Sequence, residues 1–168
     1  TLEGYEGWIA CGEDMKSGSE VYSLQTGNVN ARMGMVARWP GGSDDWGNNY
    51  QGFGTEYDGK WVPICGVVDP AGTLRTLYID GIKHIDVSNT IEVIVGSGAT
   101  IDSVWLGAWT ATDTPFNGYI AEAAIWDRAL TQAEVAQFSN GAGAGPAPNT
   151  IAPEHCRGYW PMNTDRGA

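Results

Sequence analysis

Glu56 and Asp58 stand two residues apart, the spacing that would put both carboxylates on one face of a strand. Glycoside cleavage needs such a pair on one sugar, one group protonated and one ionised. The residues that follow, Gly59-Lys60-Trp61, supply no further acid, and the surrounding glycines predict a loop rather than a catalytic strand. Nucleophilic chemistry finds no better footing. The chain has no Gly-x-Ser-x-Gly elbow, and neither His84 nor His155 has a Ser or Cys partner that the sequence places beside it. Cys156 directly follows His155, but adjacent strand residues point to opposite faces. Gly96-Ser97-Gly98 opens no helix and so cradles no phosphate. Cys11, Cys65 and Cys156 are too far apart for a zinc site. They read as small buried thiols, or as one disulfide and a spare thiol. The apolar runs Trp8-Ile9-Ala10-Cys11 and Val62-Pro63-Ile64-Cys65 favour buried thiols. Catalysis is not expected.

Binding chemistry is better represented. The run Pro40-Gly41-Gly42-Ser43-Asp44-Asp45-Trp46-Gly47-Asn48-Asn49-Tyr50 gathers two carboxylates, two amides and two aromatic rings in a glycine-freed loop. Asp44 and Asp45 offer the hard oxygens that suit Ca²⁺, although no EF-hand spacing occurs. Trp46 and Tyr50 offer ring faces for the apolar side of a sugar, and Asn48 a polar partner. The competing reading is a solvated turn with Trp46 tucked onto the body of the protein. A second loop, Trp109-Thr110-Ala111-Thr112-Asp113, pairs a stacking ring with an acceptor, so Trp109 and Asp113 join the candidate ligand contacts. Trp8, Trp61, Trp105, Trp126 and Trp160 fall inside expected strands, where core packing is the ordinary role. Trp39 stands at the border of the acidic loop.

Short β-type runs between turn signals must position these loops. Strands are expected at Gly7–Gly12, Glu20–Gln25, Arg32–Arg38, Trp61–Asp69, Leu74–Asp80, Lys83–Val87, Ile91–Val95, Val104–Ala108, Tyr119–Asp127 and Arg157–Met162. Asp80-Gly81 supplies the positive φ angles of a two-residue hairpin turn. Thr131-Gln132-Ala133-Glu134 is a capping box, followed by Val135 and Phe138 at helical spacing and stopped by Asn140-Gly141. That predicts one helix of about ten residues, plugging an open end of the fold. Residues 141–150 read as a flexible Gly/Pro/Ala connector. Beyond it, residues 157–162 form an aromatic strand too short to fold alone, so it is expected to return to the sheet within a single domain, 1–168. The whole reads as an all-β, two-sheet antiparallel jelly-roll sandwich with one short capping helix.

The composition agrees. Of 168 residues, 42% are hydrophobic and only 17% charged, with 24 Gly and 8 Trp, the habit of a loop-rich β domain. Nine Lys and Arg against twenty Asp and Glu leave a formal charge of −11, which repels phosphate backbones and excludes nucleic acid as a partner. No apolar run approaches the roughly 18 residues of a membrane span. Thr1 stands where an initiator Met would, so the chain is expected to be a processed form or a piece of a longer one.

The run from Phe116 through Ile120, Ala124-Ile125-Trp126-Asp127 and Arg128-Ala129-Leu130 to Val135 resembles the closing signature of laminin-G-like domains. Leu77-Tyr78-Ile79-Asp80-Gly81 resembles that family's hairpin, and Val104-Trp105-Leu106-Gly107 the strand before its closing unit. The likeness covers roughly Trp61 to Gly141. It implies a concanavalin A-like sandwich beginning partway into its first sheet, a recognition or attachment role, and Ca²⁺ at a loop rim that holds a glycan or a protein. The glucanases of this fold carry a Glu-x-Asp-x-(x)-Glu pattern, which the chain lacks after Glu56-Tyr57-Asp58. Tyr159-Trp160-Pro161-Met162 resembles the strand after such domains in bacteriophage and bacterial surface proteins. The expectation is therefore a non-catalytic module outside the cell or on a virion surface, binding a glycan. A decoration or fibre domain docked to a phage protein is the second reading, and a polysaccharide-cleaving enzyme the third.

Overall fold

A computed structural model of the chain describes residues 6–12, 20–27, 32–37, 45–46, 50–51, 59–68, 74–88, 103–108, 116, 118–139 and 145–162. Strands β1 (Glu6–Gly12), β2 (Glu20–Gly27), β3 (Arg32–Ala37), β4 (Asp45–Trp46) and β5 (Tyr50–Gln51) come first. Then follow β6 (Ile64–Val68), β7 (Leu74–Ile79), β8 (Ile82–Ser88), β9 (Ser103–Leu106), β10 (Ala123–Trp126) and β11 (Cys156–Trp160). The larger sheet has the order β4-β3-β2-β1-β9, with β5 also on β3. Its pairings are antiparallel, and β9 returns beside β1 after the chain has built β6-β7-β8 as a second antiparallel sheet. Strand β3 approaches β7 of that second sheet. This long excursion and return is the crossing connection of a jelly roll, and the fold is an all-β sandwich.

The β7–β8 hairpin turns on Asp80 (φ 51°) and Gly81 (φ 72°), the paired left-handed conformations that its two-residue loop requires. The turn is anchored sideways by the Asp80 N–H, which donates to the Pro63 carbonyl at 2.9 Å. Ile79, in β7, is fully buried at 0% exposure. Tyr78 and Leu77 are also buried.

The helix, α1 (Gln132–Val135), is shorter than its sequence pattern predicts and continues as a 3₁₀ turn over Ala136–Ser139. A 3₁₀ turn eclipses positions i and i+3, which lets Val135 and Phe138 both face inward. Val135 (1% exposed), Leu130 and Tyr78 form a core cluster on which Cys65, Val67, Trp126, Phe138 and Ala152 pack. The helix thus seats on the β6–β7 pair.

Several expected boundaries shift for local reasons. Strand β10 begins at Ala123 rather than Tyr119, because Glu122 is left-handed (φ 57°) and cannot continue a ladder. Strand β6 begins at Ile64, after Pro63, so Trp61 lies outside it. Asp45–Trp46 and Tyr50–Gln51, expected within a loop, instead pair with β3. Part of the expected flexible connector is also structured. Pro148–Thr150 forms a 3₁₀ turn, Pro148 and Ile151 are buried, and the Trp126 indole N–H donates to the Ile151 carbonyl at 2.8 Å. The expected strand Ile91–Val95 lies outside the described residues, as do Trp39, Gly96-Ser97-Gly98 and the Glu56–Asp58 run.

Candidate functional site: an aromatic rim and a paired sheet edge

The acidic segment is built as an interrupted edge strand. Trp46 and Asp45 pair with Val36 and Ala37, while Tyr50 and Gln51 pair with Met33 and Arg32. Three residues separate Trp46 from Tyr50 where two separate Met33 from Val36, so the edge gains one residue between its two paired pieces. An extra residue of this kind bends an edge and disrupts its ladder locally. Asp44 and Asn48 lie outside the described residues, and for Asp45, Trp46 and Tyr50 it is the backbone that is described. Ca²⁺ takes six to eight oxygen ligands. The described residues supply one candidate from this segment, Asp45, so the rest of any coordination set lies outside them. Among the described residues no cluster of three or more His, Cys, Asp or Glu side chains is arranged to hold a metal.

The second expected loop follows β9. Gly107 turns left-handed (φ 76°) to end the strand, and its carbonyl accepts the Phe116 N–H at 2.8 Å. That bond fixes the two ends of the segment bearing Trp109 and Asp113, which themselves lie outside the described residues. Strands β4 and β9 occupy opposite edges of the larger sheet, four ladder steps apart. At the usual strand spacing this is roughly 19 Å.

The structure adds a feature that the sequence reading assigned to the core. Trp61 is 54% exposed and Tyr119 86% exposed, and their rings stand 6.5 Å apart between centroids with an interplanar angle of 48°. Trp61 runs into β6, and Tyr119 lies on the run into β10. Just before Tyr119, the Phe116 ring lies where a side chain on Gly118 would sit: a Cβ there would fall 2.6 Å from it. The expectation of a core Trp61 is thus corrected. Pro63 ends the extended run before β6 and leaves Trp61 beyond the sheet, with exposed Gly59 (φ 70°) and Lys60 preceding it. The pattern Lys-Trp-Val-Pro held the signal, since proline belongs at the start of a strand rather than inside it.

The described ionisable groups near β10 and β11 are committed to structure. Glu134 accepts from both Arg128 guanidinium nitrogens (2.6 and 2.9 Å) and from the Thr131 N–H (2.8 Å). These partners hold its carboxyl down at about 2. Asp127 accepts from His155 Nδ1 at 2.8 Å and from Arg157 Nε at 2.6 Å, which lowers its pKa from the ordinary carboxylate value. The Tyr159 hydroxyl donates to the Glu122 carboxylate. His155, expected beside the terminal strand without a catalytic partner, thus clasps Asp127 across the β10–β11 ribbon, and His84 is half-buried in β8. Cys65 and Cys156 are free thiols. The Cys65 residue keeps partial solvent contact, but its thiol packs against the core, and burial pushes its pKa up to about 12. No described helix is long and apolar enough to cross a membrane.

A family model described as the concanavalin A-like lectin/glucanases superfamily matches residues 6–136. No curated protein matches the sequence significantly. Among solved structures, an S-layer domain-containing protein from Clostridium thermocellum is similar at 18% identity and a TM-score of 0.39. The match covers 71% of this chain and 56% of that crystallised chain, so this chain spans little more than half of its length.

Proposed function

Because the chain belongs to the concanavalin A-like lectin/glucanase superfamily, we propose that it is a non-catalytic recognition module that attaches to a glycan at a surface outside the cell. The observation that carries this reading is the family match over residues 6–136, a superfamily named for both its binders and its hydrolases. The fold alone chooses neither. The choice of a binder rests on the carboxylates. Glycoside cleavage needs two of them free to face one sugar. Of the described carboxylates, Glu122, Asp127 and Glu134 are held by Tyr159, by His155 and Arg157, and by Arg128 and Thr131. The sequence run at Glu56-Tyr57-Asp58 also lacks the following Glu of the glucanase pattern.

In this reading Trp46, Asn48, Tyr50, Trp109 and Asp113 contact the ligand, and Asp44 and Asp45 contribute to a Ca²⁺ site that orders the rim. The test is a glycan array probed with the purified chain in Ca²⁺ and again in chelator, alongside a reducing-end assay on the polysaccharides that bind. A specific hit lost on chelation, with no new reducing ends, is the expected result. A hit that survives chelation removes the metal from the proposal. Release of reducing ends overturns the non-catalytic assignment, and an array without hits overturns the glycan.

A further inference from the structure

We infer that Trp61 and Tyr119 form a two-ring stacking platform for consecutive units of a soluble oligosaccharide, an inference that rests on the glycan reading above. Isolated exposed hydrophobic side chains are ordinary on protein surfaces. Two large rings in mutual contact, 54% and 86% exposed, are a different object, because each forgoes burial while its neighbour holds it in place. Both are carried on backbone that the fold fixes. Trp61 precedes Pro63, whose carbonyl is bonded to the hairpin turn at Asp80. Tyr119 lies between Gly118, under the Phe116 ring, and Glu122, whose N–H donates to the Pro161 carbonyl at 3.1 Å.

The geometry selects the ligand. A 6.5 Å centroid separation leaves no room for a sugar between the rings, so a ligand must lie across their outer faces. The separation is of the order of one pyranose repeat along a chain, which gives each ring its own sugar unit. The 48° tilt means that successive units must turn relative to one another. A flexible oligosaccharide in solution can do this, whereas the flat face of a crystalline polysaccharide cannot. The exposed flanking residues are polar or small, Lys60 beside Trp61 and Gly118 beside Tyr119, while Val62 and Ile120 on the other sides are half-buried, as a wet sugar site requires more than a dry protein interface does. Phe116, whose N–H is bonded to the Gly107 carbonyl, lies three residues before Tyr119, and Asp113 six. The platform is thus continuous in sequence with the second expected loop and lies on elements apart from the Asp45–Trp46 edge.

The test titrates the chain with defined neutral and uronate-bearing oligosaccharides of one to six units, with microcrystalline cellulose and chitin as flat surfaces. The variants are W61A, Y119A, W61F, Y119F and W46A, each checked for an unchanged thermal melt. Affinity is expected to rise from one unit to two, to fall about tenfold in W61A and in Y119A, and to persist in W61F and Y119F, which keep a ring. If W46A abolishes binding while W61A and Y119A stay within about twofold of the parent, the platform is overturned and the glycan reading stands. Equal affinity for one unit and for two, or capture on the flat surfaces, overturns the two-ring geometry. Absence of binding to every member of the panel overturns both readings.

Discussion

Glu134 is held by two residues close before it in the chain. It accepts from Arg128 through both oxygens, from the Thr131 N–H and from the Thr131 hydroxyl at 3.0 Å. Thr131 in turn accepts the Glu134 N–H, completing the capping box. Because these partners favour the ionised form, the folded pKa of about 2 lies below the ordinary Glu value of about 4.3. Its stabilisation is therefore complete above the unfolded value, declines as pH falls through that window, and is gone below about pH 2. Urea midpoints at pH 6, 4, 3 and 2 should show the wild type converging on E134Q as the acid is neutralised. A gap that stays constant across that range would contradict the assignment. Thr131→Ala should cost about 1 kcal/mol at neutral pH by the same measurement. The capping box was legible in the sequence because Thr131 and Glu134 lie three residues apart, whereas the Arg128 partner of Glu134 was not read from it. Asp80-Gly81 was legible for the same reason, its conformation being set by its own two residues. Trp61 was not. Its exposure depends on where β6 starts and on a contact with Tyr119, 58 positions further along the chain.

The connector after the helix shows how an element can be misjudged from composition. Gly-Ala-Pro repeats carry little to bury, so flexibility is the natural expectation. Yet Gly145 passes so close to the end of the 3₁₀ turn that a Cβ there would lie 2.8 Å from the Gln137 carbonyl oxygen and 3.0 Å from that of Phe138. The absence of a side chain is what permits the contact. Gly145→Ala should accordingly destabilise the fold by roughly 1–3 kcal/mol, since backbone atoms cannot rotate aside. A denaturation midpoint unchanged from wild type would show that the connector yields. Further along, the Trp126 indole spans from the Phe138 ring, 5.7 Å away, to the Ile151 carbonyl. Trp126→Phe keeps an aromatic body and leaves that carbonyl without its donor, at an expected cost of about 1–3 kcal/mol. The terminal strand itself pairs with β10 in a separate two-stranded ribbon. Its aromatic character announced a strand, but its partner depended on the path of the connector, which no local signal encodes.

Across the molecule, the sandwich was legible because alternation and turn residues recur through most of the chain, whereas the placement of the binding segments was not. Which loops adjoin depends on strand order, and β9 joins the larger sheet beside β1 only after the whole β6-β7-β8 sheet has been built. The order β4-β3-β2-β1-β9 then puts the Asp45–Trp46 pair at one edge and β9 at the other. The helix closes over the β6–β7 pair through Leu130 and Val135, with the Cys65 thiol packed against that cluster. Burial pushes the Cys65 thiol up to about 12, so that it stays protonated at pH 8, and thiol reagents attack the thiolate. Cys65 therefore converts the lifting of the helix into a chemical signal. In a C11S/C156S background, a chromogenic disulfide reagent should label it far more slowly than a free cysteine, at a rate that reports the fraction of time the helix stands away from the sheet. Substitutions that loosen the cap, such as Thr131→Ala, should accelerate that labelling in proportion to the stability they remove. The buried sulfur would then time the opening of the fold long before the protein unfolds.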